Sequence, residues 1–521
     1  MIKYCVPILL EDVKKMKRTF SVIGFSYMLG LVLMNYVFED SCTVFICAVS
    51  VLFAVSLPIW AVSKRPEISV ALLSVLLSAA MFSLENTAAY APAVEYADTK
   101  CEITAEVLDF PSRSSSGNYS YLIRTREING KDERLKMYLY APFDICAEPY
   151  DEVSFSSVPF IIGENDVSFY RYFRSKGTYI GAYAQYNINV DKPVRKPFLS
   201  LFKTFRGNSV DIISQSLSVN KAAFASAILF GDRVMLDSET LEDFTKSGAA
   251  HILAFSGLHM SVWVMGLYEL LRKFRTKDKT ASLICIGACF AIVCLTSMSA
   301  SVLRSAVMTC IYLSGALFGR RSDALNSLGV AVFALCITNP FTVCDLSFLM
   351  TVFATLGVLL SARLTDRISV PSKTKGIEKA LTYTATSVII SLGASLFVWP
   401  LTVNSFGTVS TLGWLVNLFI VPFLAPCMFL CGILIAYPGI SLIAYPVKHI
   451  LEVIIGYILG CVRLIAAIPF SFIETDSFLF CRLLPIFIAL VIFLIYNIRN
   501  KRFSVASLCC LGSISVVTML I

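Results

Sequence analysis

Charged residues are scarce in this chain. Asp, Glu, Lys and Arg make up 15% of its 521 residues, whereas apolar residues make up 56%. Soluble domains carry about 25% charged residues, so this composition excludes an ordinary soluble protein. The apolar residues come in blocks about long enough to cross a bilayer, at 68–84, 281–300, 412–436 and 478–498. The sequence therefore predicts a polytopic α-helical membrane protein with about 13 spans.

The chain also lacks the motifs of common motors and hydrolases. It contains no G-x-x-x-x-G-K-[ST] nucleotide-binding loop and no G-x-S-x-G nucleophile elbow. Its three histidines, His251, His259 and His449, cannot supply the ligands of a two-zinc hydrolase. We therefore expect no catalytic residues, no bound metal and no cofactor, in a protein that is not an enzyme.

Basic residues are concentrated in short loops, and these loops predict the topology. The net charge is +8, and the basic clusters lie at 14–18, 64–65, 272–279, 320–321, 363–379 and 499–502. The intervening loops, such as Glu39-Asp40 and 339–345, carry few or no basic residues. Short basic loops stay in the cytoplasm, so the N-terminus is predicted to be cytoplasmic. No cleavage signal follows the first apolar segment, so it is not expected to be a removed leader.

These patterns divide the chain into five parts. We expect a three-span membrane segment at 1–95, an extracytoplasmic domain at 96–191, a basic amphipathic surface helix at 192–220, a membrane-spanning core at 221–499, and a final span at 500–521. Residues 96–192 are predicted to lie outside, because three spans precede them.

The insert at 96–191 has the alternation of β-strands. Apolar and polar residues alternate from Cys101 to Val107, and similarly at 119–126, 135–140, 153–158 and 180–190. Five short strands in under 100 residues favour a small extracytoplasmic β-barrel with an OB-like fold.

Two basic stretches in and after the insert are candidates for DNA binding. Residues 95–191 hold 10 basic and 15 acidic residues, a balance that disfavours a polyanion overall. However, 169–176 interleaves aromatic residues with Arg171, Arg174 and Lys176, as stacking on single strands requires. The alternative is a helix whose aromatics cover the barrel end. Further candidates are Lys192, Arg195 and Lys196, which could contact phosphates or anchor to anionic lipid.

The 17 cysteines do not indicate a disulfide scaffold, because many lie inside apolar segments. Cys101 and Cys146 are the only two cysteines in 96–192, the segment assigned to the oxidising side. We therefore expect a disulfide between them, with two separate thiols as the alternative.

A polar, glycine-bearing stretch opens the second membrane block and resembles a known family. The segments AILFGDR at 227–233 and SGAAHILAFSGLHM at 247–260 are similar to the signature of the ComEC family of competence channels for DNA uptake. The order of later motifs agrees, with SVLRSA at 301–306, GRRSDALN at 319–326, Asn339-Pro340, Trp399-Pro400 and Asn417. The resemblance covers most of 96–440.

The resemblance implies an inner-membrane channel that passes single-stranded DNA into the cytoplasm during natural transformation. It also implies partners: a surface DNA receptor and a separate cytoplasmic helicase-type ATPase. Many family members continue into a metallo-β-lactamase-like domain, whereas this sequence stops after the span at 500–521. A nuclease, if one is needed, is therefore expected to be a separate polypeptide.

Polar residues in this stretch are candidates for the channel pathway. Asp232 and Arg233 are costly in a membrane and mark either a pathway or a structural ion pair. His251 and His259 are about 80° apart around a helix and could face one cavity, while Ser256 and Gly257 would break or tighten that helix. The remaining candidates are Arg304, Asp345 and Asn417.

Two other functions stay open. One is a secondary transporter of a small anionic solute with an accessory external domain, which usually shows inverted repeats and paired broken helices. The other is a membrane enzyme that uses the two histidines, such as a glycan-modifying transferase. The sequence shows neither repeats nor paired broken helices, and it offers few acid–base groups, so the channel is the preferred interpretation.

Overall fold

The computed structural model of the protein describes most of residues 19–474. It leaves out 64–65, 114–117, 164–165, 185–187, 193–196, 234, 297–299, 318–322, 366–376 and 407. The predicted spans at 478–498 and 500–521 lie outside the described residues, as do Arg195 and Lys196.

Three apolar helices open the described chain. They are α1 Thr19–Tyr36, α2 Cys42–Ser63 and α3 Glu67–Glu85. Each agrees within two residues with one of the three spans that hydropathy predicts in this segment, at 19–38, 42–62 and 67–84. A π-helical turn, Asn86–Tyr90, and the short α4, Ala91–Glu95, lead from α3 into the inserted domain.

The insert is a domain built on one mixed sheet. Its strands are β1 Cys101–Val107, β2 Ser112–Arg113, β3 Tyr119–Ile128, β4 Lys131–Asp132, β5 Lys136–Ala141, β6 Glu152–Ser157, β7 Phe160–Ile161, β8 Ile180–Tyr183 and β9 Asn189–Asp191. Along β1, buried residues alternate with more exposed ones, which confirms the period of two read from the sequence. The segment 180–190, expected as one strand, is instead β8 and β9 with a break between them.

Strands from opposite ends of the sheet are neighbours in the sequence. The strand order is β7-β8-β5-β3-β1-β6-β9, and β5 and β8 are parallel whereas the other pairs are antiparallel. Only Val158 and Pro159 separate β6 from β7, so one interrupted stretch of chain pairs with both β1 and β8. A single helix, α5 Val167–Ser175, precedes β8.

Helices make up most of the remaining described chain. They are α6 Ser200–Ser216, α7 Val219–Phe230, α8 Ser238–Lys246, α9 Ala250–Leu253, α10 Gly257–Lys273, α11 Asp278–Leu295, α12 Ala300–Leu317, α13 Ala324–Thr338, α14 Leu346–Thr365, α15 Ile377–Phe406, α16 Gly413–Phe419, α17 Val421–Ala436 and α18 Ser441–Ala466. Two short strands, β10 Thr408–Ser410 and β11 Phe472–Glu474, pair with each other. A 3₁₀ turn at Pro340–Cys344 connects α13 to α14.

Several helices are long and apolar enough to cross a membrane. Among the described residues there are five, or six if the bent pair α16 and α17 forms one span. Shorter apolar helices, such as Val219–Phe230 and Ala324–Thr338, accompany them. The count of about 13 spans therefore stays a prediction.

The first helix packs inside the later membrane block. Gly24 of α1 and Gly329 of α13 meet backbone to backbone, because a Cβ built on Gly24 would lie 2.1 Å from the Gly329 carbonyl oxygen. The backbone N–H groups of Phe20 and Ser21 both donate to Asn326 Oδ1, at 3.0 and 3.2 Å. Small residues allow such close contact between apolar helices. Residues 19–93 and 325–401 thus share one buried core.

Candidate functional site

A break in the chain creates the candidate site. The helix α9 ends at Leu253, the backbone of Ala254 is extended, and α10 begins at Gly257. His251 and His259 therefore lie on two helices rather than on one face of a single helix. The break falls where the Ser256-Gly257 pair predicted it.

The start of α10 is closed by a reciprocal cap. The Ser256 side chain accepts from the backbone N–H of His259, and the Ser256 backbone N–H donates to His259 Nδ1 at 3.1 Å. Since a backbone N–H can only donate, Nδ1 must be the acceptor, and a neutral His259 carries its proton on Nε2. That Nε2 is buried and has no partner among the described residues. The imidazole thus leaves one unpaired N–H donor in the protein interior.

His251 lies on the other side of the break. Its Nδ1 is 3.0 Å from the carbonyl oxygen of Gly248, and its ring also bonds the side chain of Asn417 on α16. The side chain is exposed, so the ring stays accessible while it links the loop before α9 to α16.

A second break meets the first at this point. The helices α16 and α17 are bent by 51° around Ile420, and Asn417 lies just before that bend. Gly248 has a φ of +79°, and a Cβ there would lie 2.4 Å from Ser410 Oγ. Glycine is therefore required where the loop before α9 touches the β10 segment. The sequence did not show this bend, because hydropathy does not reveal a bend within an apolar run.

Arg304 reaches the start of α10 from α12. Its Nε donates to Thr351 Oγ1 at 3.1 Å and its Nη1 to Thr355 Oγ1 at 2.8 Å, both on α14. Its Nη2 lies 3.9 Å from the Cβ position of Gly257. Only 6% of the residue is exposed, and within the described chain no carboxylate pairs with it. The site therefore contains a buried cation held by neutral hydroxyl groups.

Asp232 and Arg233 do not form an ion pair with each other, because each contacts a different element. Asp232 Oδ2 accepts from Arg206 Nη2 of α6 at 3.2 Å, whereas Arg233 Nε donates to the carbonyl oxygen of Leu253 at 3.4 Å. Arg233 therefore supports the end of α9, and Asp232 fixes α6. On the insert side of α6, Lys203 Nζ lies 2.5 Å from Asp109 Oδ1. The α6 segment, expected on the membrane surface, thus links the insert to the helical block.

The predicted DNA-contacting cations of α5 are already engaged. Arg174 is 3% exposed, pairs with Glu39 and stacks over the Phe341 ring at 3.9 Å. Lys176 Nζ donates to Asp345 Oδ2 at 2.8 Å. Arg171 lies over the Tyr36 ring at 4.2 Å. These three side chains dock the insert on the helical block, so their contact with DNA stays a prediction, and Asp345 pairs with Lys176 rather than with Arg304.

The aromatic residues of α5 instead border an open groove on the insert. The groove has a volume of about 730 Å³ and is lined by Tyr138, Tyr140, Phe160, Phe169, Tyr172 and Phe173, among others. The Phe160 and Tyr183 rings are stacked with centroids 4.9 Å apart. Burial raises the pKa of Tyr138 to about 12, so its hydroxyl stays neutral. Lys192, at the end of β9, is exposed.

The predicted disulfide is absent. Cys101 and Cys146 are both free thiols. Cys101 is buried at the start of β1, where its Sγ is 3.6 Å from Asn129 Nδ2. Cys146 is exposed in the loop after β5, with a φ of +54°. Alternation placed Cys101 in the interior of the insert correctly, but it contained no information on where the loop carries Cys146.

Several contributors to the site were missed. Thr351 and Thr355 are one turn apart in α14, and two hydroxyls on one face of an apolar helix were the available signal. Arg206 and Glu39 carried no local signal, because their partners are far away in sequence.

The comparisons with known proteins match the part of the chain that contains the candidate site. Residues 228–500, just over half of the chain, match the family model of the competence proteins. ComE operon protein 3 of Bacillus subtilis (strain 168) is 24% identical over 225 residues, which are 43% of this chain and 27% of that relative. The match thus spans only about a quarter of the relative's length. No solved structure matches the chain. The family match contains the broken helices, both histidines and Arg304, and the chain belongs to the competence protein family.

Proposed function

We propose that this protein is an inner-membrane channel that passes single-stranded DNA into the cytoplasm during natural transformation. The observation that carries the proposal is the meeting of two helix breaks, the one between α9 and α10 and the bend between α16 and α17. There, the accessible His251 and Asn417 lie at the break between α9 and α10, and Arg304 stands at the start of α10 without a carboxylate partner in the described chain. Irregular backbone at membrane depth is tolerated where it lines a water-filled cavity.

Membership of the competence family also supports this proposal, in addition to the arrangement of the site residues. The chain belongs to the competence protein family, and the relative from Bacillus subtilis is named ComE operon protein 3. A polyanion crossing a membrane requires cations along its path, and a buried arginine without a carboxylate partner in the described chain fulfils that requirement.

We further propose the architecture within which the channel works. The protein would have about 13 spans and a cytoplasmic N-terminus. The insert would be an extracytoplasmic OB-like barrel, since its strand order and its interrupted β6–β7 stretch suit such a closed sheet. Its docking partners Glu39 and Asp345 both belong to loops poor in basic residues, which suits the outer side.

Three further proteins are proposed as partners, each for one step of DNA uptake. A surface receptor would deliver DNA, a helicase-type cytoplasmic ATPase would supply the energy, and a separate nuclease would remove the second strand. The protein itself would position the strand without acting as an enzyme. Stacking in the aromatic groove, rather than the cations of α5, would be the insert's contribution to holding single strands.

A secondary transporter of a small anionic solute is the second candidate. It is favoured by one specific observation, the meeting of the two broken helices at His251 and Asn417. Discontinuous helices form the substrate sites of many transporters. The apolar cavity beside α10, about 570 Å³ and lined by Phe255, Trp263 and Phe429 among others, has no charged residue in its lining for an anionic solute.

Uptake of labelled DNA tests the proposal. Cells lacking the gene would be complemented with the wild type, His251→Ala or His449→Ala, and nuclease-protected label would be measured. We expect His251→Ala to lower import by about tenfold or more, as loss of a hydrogen bond to a charged strand predicts. His449 is exposed in α18, outside the cluster, and its variant should import normally. Normal import by the cells that lack the gene would contradict the channel assignment, and normal import by His251→Ala at equal protein level would contradict the role of His251.

A further inference from the structure

An apolar cavity lies between α10, α11 and α17. Its volume of about 570 Å³ is within the range of about 300–1,000 Å³ that is usual for ligand pockets. The lining is apolar except for the hydroxyl of Thr296 and the indole N–H of Trp263. A charged solute would lose its hydration there without replacement, which is costly. The lining therefore fits a hydrocarbon.

The cavity opens between helices that are suited to a membrane. Helix α11 is long and apolar enough to cross a bilayer, and so is the bent pair of α16 and α17. Leu270 of α10 and Phe429 of α17 line the cavity and are also exposed at the surface of the protein. An apolar opening at the depth of the hydrocarbon core faces acyl chains rather than water. The lipid itself is thus the hydrocarbon that can enter.

Two contacts between aromatic rings and glycines hold one side of this cavity. A Cβ on Gly432 of α17 would lie 2.9 Å from Trp263 Cη2, and a Cβ on Gly266 of α10 would lie 2.7 Å from Phe429 Cζ. The centroids of the Trp263 and Phe429 rings are 5.5 Å apart. Each ring therefore lies against a glycine of the opposite helix. Side-chain rings join α10 and α17 here, and the space beside the rings stays open.

The length of the cavity suits one acyl chain. Its lining along the chain direction of α10 extends from Phe255, just before the helix, to Leu270. At a rise of 1.5 Å per residue, the segment Gly257–Leu270 is about 20 Å long. One leaflet of a hydrocarbon core of about 30 Å is about 15 Å thick. An acyl chain of one leaflet thus fits along the cavity.

One end of the cavity reaches the ends of two helices. Leu270 lies one turn before Lys273, the last residue of α10, and the i, i+3 spacing places both on one face of the helix. Ala436, which also lines the cavity, is the last residue of α17. The exposed Tyr437 follows it, and such amphipathic rings are enriched at membrane interfaces. This end of the cavity therefore lies at the level of lipid headgroups.

The loop that leaves α10 at this end is basic. Lys273, Arg275 and Lys277 are exposed, and none of them has an ion-pair partner among the described residues. Arg272, by contrast, pairs with Asp278. Cations next to a membrane-spanning helix attract anionic lipid headgroups. The charge at the mouth of the cavity therefore complements an anionic headgroup.

We propose that the cavity between α10, α11 and α17 is a binding site for one acyl chain of an anionic phospholipid, whose headgroup contacts the basic loop 273–277. The apolar lining selects a lipid, and the cations at its mouth select an anionic one. This binding goes beyond the passage of DNA and does not depend on it. Only the assignment of the lipid to the inner leaflet rests on the proposed topology.

Thermal unfolding of the purified full-length protein in maltoside tests the site. Phosphatidylglycerol and phosphatidylcholine with identical acyl chains would be titrated in parallel, so that the two series differ in the headgroup alone. A ligand that binds the folded state raises the unfolding midpoint. We expect phosphatidylglycerol to do so at about tenfold lower concentration than phosphatidylcholine. Equal responses to the two lipids, or no response to either, would overturn the proposal.

A variant that fills the cavity tests where the acyl chain binds. Ala291 of α11 lines the cavity, so Ala291→Phe should abolish the rise caused by phosphatidylglycerol. Gly287→Phe is the matched control, because it places the same ring on α11 where no atom lies within 4 Å of a Cβ. It should respond as the wild type does. An undiminished response of folded Ala291→Phe would show that the lipid binds elsewhere.

A second pair of variants tests the headgroup contact at the surface, where folding is not at risk. Lys273→Gln combined with Lys277→Gln should remove the preference for phosphatidylglycerol and leave the response to phosphatidylcholine unchanged. Lys100→Gln combined with Lys131→Gln removes two exposed cations of the insert and should keep the preference. If the loop variant keeps the full preference, the basic loop does not bind the headgroup and the proposal fails.

Discussion

Replacing Arg174 should release the insert from the helical block. Arg174 Nη1 pairs with Glu39 Oε1, and Nη2 donates to Asn86 Oδ1 at 3.1 Å. The guanidinium also stacks on Phe341, Tyr90 and Tyr170, with distances of 3.9, 4.7 and 4.9 Å to the ring centroids. One side chain thus joins the insert to the loop after α1, to the turn after α3 and to the 3₁₀ turn before α14.

The expected cost of Arg174→Ala follows from these contacts. Removing one partner of a buried ion pair costs about 3–5 kcal/mol. The Glu39 side chain is 38% exposed, so water can replace part of the lost contact and the lower figure applies. About 3 kcal/mol corresponds to a change of about a hundredfold in the docking equilibrium.

Hydrogen exchange measures this equilibrium locally. The amides of α5 and of the turn that follows it should exchange up to about a hundredfold faster in Arg174→Ala, whereas the β1 and β3 amides should keep their protection. Glu39→Gln retains an acceptor and should give a smaller change. Unchanged α5 protection in Arg174→Ala, with the protein folded, would refute the docking role of this arginine.

Three further predictions follow from other parts of the structure. Cys146 is exposed in the insert, so an impermeant maleimide should label it in intact cells and should label Cys146→Ser less; equal labelling of both would reject the outer location. Asp237 caps α8 by accepting from the Thr240 N–H at 2.8 Å, and Asp237→Ala should cost about 1 kcal/mol in a denaturation assay. The hydrogen bonds with Thr240 hold the pKa of Asp237 below its usual value. The stabilisation is therefore present at neutral pH and is lost as the pH falls through that lowered pKa. A contribution of Asp237 to the free energy of unfolding that does not change in acid would contradict this. Gly24→Leu should abolish accumulation of the protein in membranes, because its side chain would overlap the Gly329 backbone, and normal accumulation on a membrane blot would exclude that contact.

The sequence was sufficient where structure depends on local patterns. Hydropathy located α1, α2 and α3, and alternation located β1 and three further strands of the insert, because burial of one face or of the whole segment sets these periods. The signature around Ser256 and Gly257 also indicated a break, since a glycine after an N-cap residue disfavours a continuous helix.

Sequence patterns failed where structure depends on distant partners. The interleaved aromatics and cations of α5 have the same pattern whether they face DNA or a protein surface, and only the positions of Glu39 and Asp345 decide between the two. Likewise, Arg304 follows Gly257 by 47 positions in the sequence, and only the packing of α12 against α10 places the Arg304 guanidinium beside Gly257.

The position of α1 has a consequence for the order of synthesis. Helix α1 is made early, yet its polar residues Ser21, Ser26 and Asn35 are buried in the finished protein. The N–H groups of Phe20 and Ser21 find their acceptor on Asn326, about 300 residues later in the chain. At about 5–20 residues per second, translation of that stretch takes roughly 15–60 s. During this time the polar face of α1 must be shielded from lipid by the insertion machinery or by α3, so the first of the described helices to be synthesised is among the last to reach its final contacts.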